Sequence, residues 1–211
     1  MDNFTTILLY FTSFLTLMNP MGIMPVFLTM TSELSKHERR KTAIKAIVTA
    51  AFVLILFAFL GEYMFTFFGI SVAGLQVVGG VIFFIMGYDM LNAKLSPMKV
   101  RAEDVEKYVD DIAITPLGIP MIAGPGAITN AIVLMGDSKS YTDSALVITS
   151  IVLVLITLMI VLFGAVGITK FLGDKGNKIM MKLMGLIVMV IAVEFFFAGI
   201  KPYIQAILGI S

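Results

Sequence analysis

Asn19-Pro20-Met21-Gly22-Ile23-Met24-Pro25 interrupts an otherwise apolar run from Phe4 to Thr31. Proline lacks a backbone donor and clashes with the preceding turn, while glycine frees φ, so a helix should break here. The run is nevertheless long enough to cross a bilayer, which takes about 20 apolar residues. A second stretch, Gly124-Pro125-Gly126-Ala127-Ile128, interrupts residues 112–136 in the same way. Both breaks sit near the middle of their windows, hence near the expected bilayer midplane.

Pro125 follows Pro20 by 105 residues, and other marks recur at that displacement. Ser35 falls on Ser140, Glu38 on Asp143, Gly80 on Gly185, Asp89 on Glu194 and Pro97 on Pro202. The helix breakers, helix starts and membrane-facing acids are therefore in register, although overall identity is low. Two copies of one unit in so apolar a chain point to a transporter built from repeats. The units are residues 1–95 and 112–211, joined by a cytoplasmic linker at 96–111.

Hydrophobic residues make up 59% of the 211, charged residues 14%, and mean hydropathy is +1.00. A soluble domain would carry about a quarter charged residues. Apolar windows at 4–31, 42–61, 70–92, 112–136, 144–168 and 180–200 predict an all-α polytopic membrane protein with six transmembrane helices. The first and fourth helices are discontinuous. The first window is too long for a signal-peptide core and lacks a basic leader, so it reads as a span. Cysteine is absent, which excludes disulfides and thiolate metal sites, and the one histidine, His37, sits in a charged connector. No metal, cofactor or nucleic-acid site is expected.

Lysine and arginine set the orientation. Lys36, Arg39, Arg40, Lys41 and Lys45 follow the first window, and Lys94, Lys99, Arg101 and Lys107 follow the third. Lys170, Lys175, Lys178 and Lys182 follow the fifth, leaving only Lys139 and Lys201 on the opposite side. The positive-inside bias makes the crowded side cytoplasmic and puts both termini outside the plasma (inner) membrane. Three spans per unit is an odd number, so the two units enter from opposite faces. They form inverted three-helix repeats.

Half-helices should begin at about Met21–Gly22 and Gly126–Ala127, with unpaired N–H groups suited to a carboxylate. The half-helices that end before each break expose carbonyls suited to an ammonium group or Na⁺. A centre offering both, with no charged side chain nearby, fits a small zwitterion. Candidate substrate-binding residues are Asn19, Pro20, Met21, Gly22, Gly124, Pro125, Gly126, Ala127, Thr129 and Asn130. Asn19 has two readings, as ligand contact or as a cap on the local break.

Glu194 and Asp89 are the carboxylates well inside apolar windows. Glu194 is the candidate for proton coupling, with a satisfied or interface-reaching acid as its alternative. Asp89, close to the end of its span, reads as an interfacial acid. Ser35 and Ser140 read as capping boxes with Glu38 and Asp143. Gly79, Gly80, Gly87 and Gly185 read as close-packing points. The basic residues after Ser35 read as anchors at the interface, and the acidic cluster from Glu103 to Asp111 as a solvated linker or short surface helix.

The chain resembles the MarC family of integral membrane proteins, which contains SnatA-type small neutral amino acid transporters. The resemblance rests on Asn19-Pro20-Met-Gly22-Ile-Met-Pro25-Val-Phe27 and on Pro116-Leu-Gly-Ile-Pro120-Met-Ile-Ala-Gly124-Pro125-Gly126-Ala-Ile128. Met184-Gly185-Leu186, Glu194 and Gly199-Ile200 complete it. It implies inverted repeats with discontinuous first and fourth helices, and export or uptake of glycine-like amino acids. Functional positions carry over at Asn19, Pro20, Gly22, Pro25, Gly124, Pro125 and Gly126; Gly118 stands where alanine is more usual.

The expected function is secondary transport of glycine, alanine or serine by alternating access, coupled to protons or Na⁺. The alternatives are a passive channel for small solutes and an exporter of other small metabolites or drugs. No nucleophile–base or paired-acid constellation occurs at helical spacing, so no enzyme is expected.

Overall fold

Asn19 ends one helix and starts the next. It adopts the left-handed conformation (φ 44°, ψ 70°), which asparagine tolerates better than most residues. Its N–H closes α1 (Asn3–Met18) on the Leu15 carbonyl at 3.1 Å, while its Oδ1 accepts from the Gly22 N–H at 3.3 Å. Pro20 then opens α2 (Pro20–Met30) at the position where a missing donor costs least. The two helices meet at a bend of 42°. The computed structural model describes residues 2–92 and 104–209, and the side chains of all of these except 166–174 and 177.

Ser35 begins α3 (Lys36–Phe68) with a reciprocal capping box. Its Oγ accepts from the Glu38 N–H at 3.3 Å and the Glu38 carboxylate accepts from the Ser35 N–H at 2.7 Å. Gly69, with φ of 64°, ends this helix in the left-handed conformation that suits glycine. Ser71 caps α4 (Val72–Leu91) through the Gly74 N–H. A short helix, α5 (Val105–Ile112), precedes the second break, after which α6 (Pro125–Gly136) restarts the helical path. Ser140 and Asp143 form the second capping box, opening α7 (Tyr141–Leu208). Both boxes stand where the sequence places them.

Among the described residues, four helical stretches are long and apolar enough to cross a membrane: Lys36–Phe68, Val72–Leu91, and Tyr141–Ala165 and Lys178–Leu208 within α7. Each bent pair, α1 with α2 and the α5–α6 path, also passes that test when taken as one span, which gives six. The two stretches of α7 run in opposite directions. Ser150 donates to the Ile7 carbonyl, and Leu162 shares a cavity wall with Phe27, so the first stretch runs parallel to α1 and α2. Met181 meets Thr29 while Val188 and Ile191 lie by Met18, so the second runs antiparallel.

That second stretch packs against α4 through glycines. A Cβ on Gly80 would lie 2.8 Å from the Ala192 carbonyl oxygen, and one on Gly87 would lie 2.7 Å from that of Gly185. Backbone meets backbone, which only the smallest residues allow. A shift of 105 residues turns Gly80 into Gly185 and Ala192 into Gly87, so these two contacts are images of each other. Gly79, read with them from the sequence, instead meets the Pro125 ring.

The buried core includes Phe14, Phe27, Leu54, Leu117, Ile151 and Leu158. Large apolar side chains also cover the outside, among them Phe52, Phe59, Phe67, Val152, Ile160, Leu183 and Val190. A bilayer would shield such a surface; water would not.

The acidic segment is a docked helix where it is described; Glu103 and the other linker residues 96–103 lie outside the described residues. Val109 and Ile112 of α5 bury against Leu34, and the Tyr108 hydroxyl donates to the Met30 carbonyl at 2.9 Å. Lys41 pairs with Glu106 at 2.6 Å, and Lys45 with Asp110. The hydrogen bond from Lys41 holds the Glu106 carboxyl below its ordinary range, and the same bond raises Lys41. Glu106 therefore favours docking above the ordinary carboxylate value of about 4, and that contribution is lost as pH falls through its lowered pKa. The Lys41 contribution persists below about 10.4 and is lost as pH rises through its raised pKa. Lys41→Glu should speed amide exchange across Val105–Ile112 at neutral pH, and Lys41→Glu with Glu106→Lys should slow it again. Acid strong enough to titrate Glu106, below about pH 4, should mimic the single variant in wild type.

Candidate functional site

Residues that precede proline are pushed out of the helical region by the proline ring. At the second break this happens twice before Pro125 is reached. Thr115 (φ −133°, ψ 122°) precedes Pro116, and Ile119 (φ −131°, ψ 125°) precedes Pro120. The sequence reading confines this break to residues 124–128; in the structure the irregular segment spans Ala113–Ile122. Gly124 is extended, Pro125 occupies the first helical position, and the bend from Val105–Ile122 into α6 is 58°. Both half-helices thus begin at the prolines, one or two residues before the expected Met21–Gly22 and Gly126–Ala127.

The two helix starts differ in one respect. Asn19 supplies a side-chain acceptor to the first turn of α2, whereas Gly124 makes no side-chain cap on α6. By helix geometry the first N–H groups of α6 have no intrahelical partner. Asn19 therefore takes the capping role, and its side chain also lines the adjoining cavity.

That cavity, of about 40 Å³, lies beside the first break. Asn19 and Gly22 meet Leu17 and Met18 of α1, Phe83, Met86 and Met90 of α4, and Met121 of the second break. Val188 and Ile191 close it from α7. Leu17 and Phe83 tie the cavity to the second break. A Cβ on Gly126 would lie 3.2 Å from Leu17 and 2.9 Å from Phe195, and one on Gly124 would lie 2.7 Å from Phe83. The two breaks are neighbours, separated by a few apolar side chains.

The predicted residues fall into three groups. Asn19 and Gly22 line the cavity. Gly124, Pro125, Gly126 and Ala127 are buried at the second break, under Phe83, Gly79, Leu17 and Phe195. Pro20 is half-buried, and Met21 is 64% exposed and not a cavity-lining residue. Thr129 is buried with no hydrogen-bond partner for its hydroxyl, and the Asn130 Nδ2 is likewise unpartnered. The Asn130 Oδ1 accepts from Ser13 at 3.1 Å, which links α6 to α1 across the site. Glu194 is exposed and Asp89 half-buried, and neither lines the cavity.

Sequence reasoning misses Leu17, Phe83, Ser13 and the methionines. The one available signal is composition: 16 methionines in the chain, of which Met18, Met86, Met90 and Met121 converge here. Methionine is unbranched and adaptable, and suits a wall that must accommodate different shapes.

Residues 4–204 match the family described as MarC family integral membrane protein. The chain belongs to the MarC family. A UPF0056 membrane protein of Methanocaldococcus jannaschii is 35% identical over 196 residues, covering 92% of this chain and 95% of that relative. One from Pyrococcus abyssi is 37% identical over 183 residues, covering 87% and 88%. The UPF0056 membrane protein YvbG of Bacillus subtilis is 34% identical over 201 residues, covering 94% and 95%. No solved structure matches this MarC chain.

Replacing Asn19 separates its backbone role from its amide. Asn19→Ala should lower stability by about 1–2 kcal/mol, through loss of the cap and the strain of a left-handed alanine. Asn19→Gly, which accepts that conformation, should lose less than half as much. Thermal unfolding in detergent checks the order; equal losses would show that the left-handed turn contributes nothing to stability.

Proposed function

We propose that this MarC-family chain is a secondary transporter of small neutral amino acids, of the glycine, alanine and serine class, working by alternating access. The observation that carries the reading is the meeting of two proline-started half-helices, bent by 42° and 58°, around shared side chains. A half-helix N-terminus attracts a carboxylate, and the uncapped start of α6 at Gly126 and Ala127 is the better candidate of the two. Asn19 and Asn130 supply directed polar contacts without net charge. The adjoining cavity, of about 40 Å³, bounds the solute to a very small molecule.

The topology in this reading is six spans in two inverted three-helix repeats, with both termini outside the plasma (inner) membrane. Support comes from the mirrored Gly80–Ala192 and Gly87–Gly185 contacts between α4 and the end of α7. The distribution of lysine and arginine supports the orientation. Rocking one unit against the other about these contacts would expose the breaks to each side in turn. A proton or Na⁺ gradient would supply the energy, with Glu194 retained as a coupling candidate outside the cavity wall.

The methionine-lined wall favours a second reading, export of other small and more apolar solutes. A substrate panel on purified protein in liposomes separates the two. Counterflow of labelled glycine, alanine or serine supports the amino acid reading, and transport of apolar solutes alone supports the second. Gly126→Val should insert normally but reduce exchange at least tenfold, because its side chain would press on Phe195 and Leu17. Wild-type exchange in that variant would remove the proposed site.

A further inference from the structure

Five cations stand between residues 36 and 45, and the fold treats them in two ways. Lys41 and Lys45 are answered by Glu106 and Asp110 of α5. Lys36, Arg39 and Arg40 have no carboxylate partner among the described residues. These three line one small cavity of about 40 Å³, whose other walls are Phe27, Leu162 and Phe163.

Neighbouring groups orient the two arginines. The Arg39 Nε donates to the Leu34 carbonyl at 3.0 Å and its Nη2 to the Ser32 carbonyl at 2.6 Å, which leaves the other edge of the guanidinium unused. The Arg40 guanidinium lies 5.8 Å from the centroid of the Phe163 ring. Lys36 is the first residue of α3, where the helix dipole is already positive and a cation is unfavourable. The one acid of that turn, Glu38, is committed to the Ser35 cap.

Orientation in the membrane requires positive charge on one side only. It does not require three cations to converge on a cavity, nor one of them to be held over a phenyl ring. In the six-span reading the cavity also falls at the membrane border. Phe27 lies near the end of α2 and Lys36 at the start of α3, and Leu162 and Phe163 fall late in the apolar window 144–168.

We propose that this cavity binds the headgroup of an anionic phospholipid. The phosphate takes charge-assisted hydrogen bonds from Lys36, Arg40 and the free edge of Arg39. The glycerol and upper acyl chain lie along Phe27, Leu162 and Phe163. A basic pocket between spans on the cytoplasmic side is the arrangement that selects acidic lipids over zwitterionic ones. The site is independent of what the chain transports.

The test is native mass spectrometry of the full chain released from nanodiscs of phosphatidylcholine doped with phosphatidylglycerol. Wild type should retain one phosphatidylglycerol in strong preference to phosphatidylcholine. Lys36→Gln with Arg40→Gln should cut that retention about tenfold, while Lys139→Gln, at the far end of α6, should leave it unchanged. Inorganic phosphate should not displace the lipid. Equal retention of the two lipids by wild type overturns the proposal without any variant. Full retention by the double variant, or displacement by inorganic phosphate, overturns it as well.

Discussion

In hydrocarbon an unpaired backbone N–H or carbonyl costs several kcal/mol, and that constraint shapes this molecule more than any single contact. The chain breaks its helical path twice, at Asn19–Pro20 and across Thr115–Gly124, within segments apolar enough to lie in a membrane. Each break must therefore be buried in protein or face a polar cavity. Both conditions are met in part. Asn19 caps one break, while the other is walled by Phe83, Leu17 and Phe195 with no side-chain cap on α6. The remaining polar capacity at the start of α6 is what a small dipolar solute could fill.

The rest of the fold serves to hold those breaks together. Glycines let α4 and the end of α7 touch backbone to backbone, which places Phe83 and Phe195 against the second break and Met86, Met90, Val188 and Ile191 against the first. Ser13 and Asn130 join the two broken paths by a hydrogen bond. At the charged end, α5 is clamped to α2 and α3 by Tyr108 and two ion pairs. Any rocking of the halves would have to strain or release that clamp. Beside it stand the three cations with no carboxylate partner among the described residues, where the proposed lipid headgroup binds.

Much of this was readable from residue order because its causes are local. A Ser three residues before an acid caps a helix wherever it stands, and both capping boxes formed. Proline after Asn19 or Gly124 ends one helix and begins another whatever packs nearby. The contacts of Gly80, Gly87 and Gly185 were read correctly because so small a side chain in a span has little other use. Less accessible were features that depend on two distant segments. Nothing in the sequence brings Leu17 and Phe83 to both breaks, or Ser13 to Asn130. The early start of the second break has a local cause, since Thr115 and Ile119 each precede a proline, but Pro116 and Pro120 enter the sequence reading only through the family motif.

The central claim is that main-chain N–H groups at the two breaks are the place where solute binds. Residue-resolved amide NMR of ¹⁵N-labelled protein in nanodiscs, titrated with glycine, alanine and serine, tests it most directly. The account predicts that Met21, Gly22, Gly126 and Ala127 shift and gain exchange protection together, with α6 responding more strongly than α2. Saturating solute that leaves these four amides unchanged, while shifting others elsewhere or none, would contradict it.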